Sequence, residues 1–262
     1  MVVKNEDQFL WYSISSILPY VDKMIIYDTG STDKTVSIIK LFKSPKIFFE
    51  EKGKVDSLSL VKLRQEQIDK SKEDWIWIVD GDEIYPQKTV ESILEIINSK
   101  NNYKGIIVHR YDLIGDVYHA QEEKVGAYNQ FGKVGHYVLR LINKASLGEI
   151  KVLGNYPNEY YANKADNPIK NCGKEHFTFV EESIFHAMYL KRSSLGGNLL
   201  TTLNRGKFKI ELGREIPKKD IPKIFFVQKP KSIPDVTQER SLTYFLLALF
   251  FTPIKNLKRR IF

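Results

Sequence analysis

The stretch W-I-W-I-V-D-G-D-E-I-Y-P, residues 75–86, decides how the chain reads. Trp75, Ile76, Trp77, Ile78 and Val79 run without a polar break and are aromatic or β-branched. A run that short and continuous predicts a strand buried on both faces, as in a parallel sheet. It ends abruptly at Asp80, Gly81, Asp82 and Glu83. Carboxylates this close repel one another unless a cation sits among them. In open α/β sheets, ligands bind at the carboxyl ends of the strands. Asp80 and Asp82 flank Gly81, which lets the backbone turn between them. Both are hard oxygen donors suited to Mg²⁺ or Mn²⁺ and to the phosphates such ions carry. A solvated acidic turn is the alternative, and D-x-D alone does not choose between the two.

Upstream, residues 6–18 carry Phe9, Ile14, Ile17 and Leu18 at helical spacing, with Asn5 as N-cap and Pro19 as the stop. Residues 23–27 (K-M-I-I-Y) predict a short strand that ends in D-T-G-S-T-D-K-T, residues 28–35, and a helix is expected from there to Phe42. Strand, then Asp and Gly, then helix is the arrangement of a nucleotide site. Gly30 permits close backbone approach, and Asp28 can accept from a base N–H or a ribose hydroxyl. The loop is neither G-x-x-x-x-G-K-[ST] nor G-x-G-x-x-G. Asp33 reads as a helix cap. Further strands are expected at 46–50 and 104–111, and helices at 58–70 and 89–99. Arg64, on a mostly polar helix face, is a possible phosphate partner or a solvated charge. Residues 1–111 therefore alternate strand and helix. That predicts a mostly parallel sheet, with both acidic loops on its carboxyl edge.

The chain of 262 residues is long enough for a full core, and 42% hydrophobic with 27% charged residues is ordinary for a globular protein. Cys172 is the one cysteine, so no internal disulfide forms and a reducing compartment is expected. Lys4, Glu6 and Asp7 interrupt any apolar leader, so no signal peptide is expected at the start. Residues 214–262 hold 11 Lys/Arg against 4 Asp/Glu, which is +7 of the net +8. The body lacks the basic stripe of a duplex binder, so no nucleic-acid partner is expected. A basic tail points instead to an anionic surface.

K-N-E at residues 4–6, D-T-G-S-T-D-K-T at 28–35 and W-I-W-I-V-D-G-D-E at 75–83 together resemble glycosyltransferase family 2, with its GT-A fold. They are most similar to the branch whose second strand ends in D-T-G-S-T-D. That branch also carries an Arg in the helix before the central strand, which Arg64 matches. The resemblance covers residues 2–111 well and extends weakly to about residue 195. It implies an α/β, Rossmann-like, mostly parallel sheet flanked by helices, with an irregular second half and a C-terminal amphipathic, basic tail.

The resemblance also implies roles. Asp28 would hold the nucleobase or ribose of a sugar nucleotide, UDP-linked by expectation. Asp80 would lie on the ribose side, and Arg64 near the diphosphate. Asp82 would coordinate the Mn²⁺ or Mg²⁺ that bridges the diphosphate. The implied activity is that of an inverting, hexosyl-type glycosyltransferase acting by direct displacement on a glycan or lipid-linked acceptor. A carboxylate on the opposite face would take the acceptor proton. The family's first strand is longer than residues 1–3, so either the native start lies upstream or the edge strand is cut short.

Beyond Asp112 the alternation breaks down, and aromatic residues and glycines stud irregular sequence. Residues 136–142 (H-Y-V-L-R-L-I) predict a strand with Arg140 at its centre. Related enzymes place an acidic residue after such a strand, which nominates Glu159 as base, with Glu175, Asp112 and Asp116 as alternatives. Many GT-A enzymes take a further metal ligand from a second-half His, which nominates His186. As a lone His on an apolar face, His186 reads equally as a core residue. Lys191 and Arg192 would then lie near the diphosphate, and Gly196, Gly197 and Gly213 would serve a mobile loop.

The expected division is 1–213 for the GT-A domain, with a donor half 1–111 and an acceptor half 112–213, and 214–262 for a basic linker and tail. The run L-T-Y-F-L-L-A-L-F-F at 242–251 precedes Lys255, Lys258, Arg259 and Arg260. It is too short to span a bilayer, which takes about 20 residues. It suits a cytoplasmic protein lying peripherally on anionic membrane, or else a core-capping or dimer helix. Two competing readings are a non-catalytic binding or scaffold protein of the same fold and a sugar-nucleotide pyrophosphorylase. The latter needs a Gly-rich loop near the first strand, which residues 1–7 lack.

Overall fold

Short apolar runs punctuated by Asp, Gly and Pro set the order of elements in the computed structural model, which describes residues 1–99, 101–190 and 209–261. The first half runs β1 (Val2–Val3), α1 (Leu10–Ile17), β2 (Met24–Asp28), α2 (Thr35–Ile39), β3 (Ile47–Glu51), α3 (Ser57–Lys70), β4 (Trp75–Trp77), β5 (Glu83–Ile84), α4 (Gln87–Asn98) and β6 (Gly105–Asp112). The second half adds β7 (His119–Ala120), β8 (Tyr128–Gln130), β9 (Lys133–Gly135), β10 (Tyr137–Asn143), α5 (Lys144–Leu147), β11 (Ile150–Leu153), β12 (Tyr160–Asn163), β13 (Phe177–His186), β14 (Arg214–Glu215) and α6 (Leu242–Ile261). Lys191, Arg192, Gly196 and Gly197 lie outside the described residues.

Local chemistry places most boundaries. The Asp56 side chain accepts from Ser59 N at 2.7 Å and caps α3. α4 follows Pro86 directly and buries Val90 and Ile93. Full burial of such side chains stabilises by about 1.5–3 kcal/mol each. α1 begins later than the sequence suggests, because Asn5 does not cap it. Asn5 has φ 54, and its side-chain oxygen accepts from Thr32 N at 2.7 Å. α2 ends at Ile39 rather than Phe42, since Leu41 N and Phe42 N bond back only three residues, to Ile38 O and Ile39 O.

The fold is the expected α/β arrangement with flanking helices. β1, β2 and β3 form a parallel sheet in register Val3↔Asp28 and Asp28↔Glu51. A second sheet has the order β4-β10-β6-β13-β5. In it β13 is parallel to β6, while β10 is antiparallel to both β4 and β6. β4 is therefore not the parallel, doubly buried strand its apolar run predicts. It pairs with β10 alone, Trp77 opposite Leu141, and its residues are half-buried. Between the two sheets lies a cavity of about 650 Å³, lined by Met1, Ile25, Arg64, Gln67, Trp77 and Val79. The longest strand, β13, goes unread in the sequence because E-E-S interrupts its apolar alternation; the register shifts there, between Val180 and Ser183.

One core joins the sheets through Val3, Ile14, Ile26, Val79, Ile93 and Val108. A second packs Phe9 and Tyr12 of the N-terminal region against Phe185, Phe225 and Ile233. Phe225 and Ile233 belong to the Pro-punctuated stretch beyond residue 213, and the Tyr12 hydroxyl donates to Pro234 O at 2.7 Å.

Candidate functional site

The segment around K-N-E joins the two acidic loops. Asn5 N donates to Ser31 Oγ and Glu6 N to Thr35 Oγ1, both at 2.8 Å. On its other side this segment packs against Gly81, where a Cβ would come within 3.2 Å of both the Val3 and Glu6 side chains. Gly81 thus serves a close approach rather than a left-handed turn. Gly30 does need the left-handed region, with φ +84, and lies against the backbone at Lys54.

Asp28 is buried at the end of β2 and builds its own loop. One carboxylate oxygen accepts from Gly30 N at 3.0 Å and Ser31 N at 2.9 Å, and the other accepts from the Ser31 hydroxyl. Asp33 Oδ1 accepts from Thr35 N at 2.9 Å, an i→i+2 bond made one residue before Lys34, the N-cap of α2, so Asp33 does not cap the helix as its sequence position suggests.

Asp80 and Asp82 point to different partners. Asp80 meets two guanidiniums, Arg140 at 2.9 Å and Arg64 at 3.7 Å. Burial would raise its carboxyl, but Arg140 and Arg64 outweigh burial and hold it well below the usual carboxylate range. Arg140 also bonds Glu83, which has no exposure to solvent. Arg64 Nε lies 3.2 Å from Glu159 Oε1, so Glu159 joins the same ionic cluster from the loop before β12. The other Glu159 oxygen is buried without a hydrogen-bond partner.

Asp82 faces His186 at the end of β13, with 3.6 Å between Oδ2 and Nε2, too far for a hydrogen bond. His186 Nδ1 donates to Asp112 Oδ1 at 2.7 Å. Burial pushes the Asp112 carboxyl up, but the hydrogen bond from His186 and the charge of Arg110 bring it down to about 2. Asp112 accepts from Nδ1 and so turns the Nε2 edge of the ring towards Asp82. Arg110 and His136 lie 3.3 and 3.7 Å from the second Asp112 oxygen.

Asp80, Arg64 and Glu159 thus form one cluster, and Asp82 with His186 forms an adjoining pair. Among the described residues no group of three or more His, Cys, Asp or Glu is placed to hold a metal ion. The Asp82–His186 pair still offers one hard oxygen and one oriented imidazole. That suits a divalent ion that takes its other ligands from phosphate and water. Sequence reasoning gave Arg140 no role and considered Asp112 only as a base. A lone Arg inside an apolar strand was the available signal, since buried Arg is nearly always paired.

The family model described as Glycosyl transferase family 2 matches residues 1–155. No curated protein matches the chain. Among solved structures, glucosyl-3-phosphoglycerate synthase from Mycobacterium tuberculosis, in complex with Mn²⁺ and uridine-diphosphate-glucose, is similar at 17% identity and a TM-score of 0.32. That similarity covers 43% of this chain and 42% of the synthase. A crystal structure described only as that of a mycobacterial protein is similar at 14% identity and a TM-score of 0.43, covering 85% of this chain and 68% of the other.

Proposed function

This chain belongs to glycosyl transferase family 2, and we propose that it transfers a sugar from a nucleotide diphosphate donor, UDP-linked, to a hydroxyl of a glycan or lipid-linked acceptor. The observation that carries this reading is the split of the D-G-D turn: Asp80 turned to Arg140 and Arg64, Asp82 turned to His186.

Asp82 and His186 are the residues that would hold a divalent cation, with Asp112 orienting the imidazole. A cation bound there supplies Lewis-acid stabilisation of the charge that grows on the diphosphate. Arg64 adds a planar donor for the same oxygens. The Asp28 loop, tied to the K-N-E segment, presents backbone to the nucleoside. In the reaction the acceptor oxygen bonds to the anomeric carbon, the bond from that carbon to the diphosphate oxygen breaks, and the acceptor proton passes to a carboxylate. Glu159 is the proposed base; one of its oxygens lies against Arg64 and the other is buried without a hydrogen-bond partner, so it would have to part from Arg64 to take the acceptor proton.

Calorimetric titration with UDP, with and without Mn²⁺, tests the assignment. Asp82→Ala is expected to lose at least about tenfold of the Mn²⁺-dependent affinity, with an unchanged melting curve. Equal Mn²⁺-dependent affinity in wild type and variant would refute it. Absence of any nucleotide binding by the folded wild type would favour the scaffold reading.

A further inference from the structure

Helix α6 is fixed to the body along one side only. Tyr244, Ala248, Thr252, Lys255 and Arg259 recur at spacings of three or four, one stripe of an α-helix. The Tyr244 hydroxyl donates to Lys209 O at 3.1 Å, Ala248 is fully buried, and Leu212 N donates to Thr252 Oγ1 at 2.9 Å. Arg259 grips both oxygens of buried Glu211, at 2.7 and 2.8 Å, and Lys255 reaches the same carboxylate at 3.4 Å. The opposite side carries Leu242, Leu246, Leu249, Phe250, Ile254 and Leu257, each more than half exposed. The helix contains no Asp or Glu, and its four charges, Lys255, Lys258, Arg259 and Arg260, are all positive and crowd its C-terminal end. Lys258 and Arg260 are exposed.

We propose that α6 docks with this outward face on an anionic lipid bilayer, lying in the interface while its inward stripe stays clamped to the body. Among the described residues no helix is long and apolar enough to cross a membrane. A helix with one apolar face and flanking Lys and Arg is the form that lies at an interface. The charge pattern selects lipid over a second copy of the chain. A parallel copy sets the basic ends against each other. An antiparallel copy sets them against the uncharged first half of the helix. Anionic headgroups complement them in either direction, and the aliphatic stems of Lys258 and Arg260 cover apolar surface while their charges reach the headgroups. The stripe that holds α6 to the body shares no residue with the outward face. The whole molecule is therefore carried to the surface in one orientation.

The test is co-sedimentation with phosphatidylcholine vesicles, with and without phosphatidylglycerol, with solution mass by light scattering in parallel. Wild type is expected to sediment with the phosphatidylglycerol vesicles, more weakly with pure phosphatidylcholine, and less as salt is added. Leu246→Glu/Phe250→Glu is expected to lose about a hundredfold in partition coefficient with an unaltered melting curve, because both side chains are exposed. Three results would overturn the proposal. One is no binding by wild type, a second is equal binding by the variant, and the third is a wild-type dimer that the double substitution converts to monomer.

Discussion

Arg140→Met removes a guanidinium from the centre of β10 and keeps most of its aliphatic length. Asp80 retains Arg64, but Glu83, buried and held by Arg140, loses the cation that balances it. A carboxylate left ionised and unpaired in such a place costs about 3–5 kcal/mol. Protonation is the alternative. Burial already holds the Glu83 carboxyl above its ordinary 4.5, against the pull of Arg140. Neutralising a group with that ordinary pKa costs about 3 kcal/mol at pH 7 and under about 1 kcal/mol at pH 5, at about 1.36 kcal/mol per unit. The cheaper route sets the penalty.

The sign follows from the shift. A carboxyl whose folded pKa lies above its unfolded value contributes stability that is full below the unfolded value and is lost as pH rises from there through the folded value. Urea unfolding of the variant should therefore show a loss of about 3 kcal/mol at pH 7, shrinking to about 1 kcal/mol or less at pH 5. At pH 7 the melting temperature should fall by about 6–12 °C, at about 2–4 °C per kcal/mol for a chain of this size. Adding Glu83→Gln should restore most of the loss, because removing both members of a buried pair is far less costly than removing one. An equal loss at both pH values, or a double variant no more stable than the single, would refute this account of Glu83.

Two other substitutions probe the same region. Asp112→Asn should weaken Mn²⁺-dependent UDP binding by about 10- to 100-fold in calorimetry, the usual cost of losing a carboxylate behind a metal-binding His; unchanged affinity would mean that the orientation of His186 does not matter. Gly30→Ala places a Cβ at φ +84, 3.1 Å from Lys54 N, and should cost about 1–2 kcal/mol in urea unfolding; a loss near zero would show that the loop relaxes freely.

What could be read from the sequence was what local chemistry decides. β2 was legible because its apolar run ends in Asp28 and Gly30, and α4 because it buries one apolar stripe after Pro86; α3 was legible only as a helix with a mostly polar face, its Asp56 cap showing in the structure. β4 was legible as a strand but not in its pairing, since an apolar run does not say which neighbour it meets. Asn5 has the chemistry of a cap but meets a stronger competitor in Thr32 N, across 27 residues. The acidic turn was visible, while its sorting into Asp80 with two arginines and Asp82 with one histidine was not. Arg140 lies 60 residues from Asp80, and Asp112 lies 74 from His186. Such pairs form only once β6, β10 and β13 align, and no local pattern encodes that alignment.

The bond from Tyr12 to Pro234 spans 222 positions. On the ribosome, at about 5–20 residues per second, the first helix waits about 10–45 s before the segment that seals it has been made. Until then Phe9 and Tyr12 have no Phe225 or Ile233 to bury against. The nascent N-terminal half leaves the tunnel with an apolar flank still open, and residues 225–234, made much later, close it.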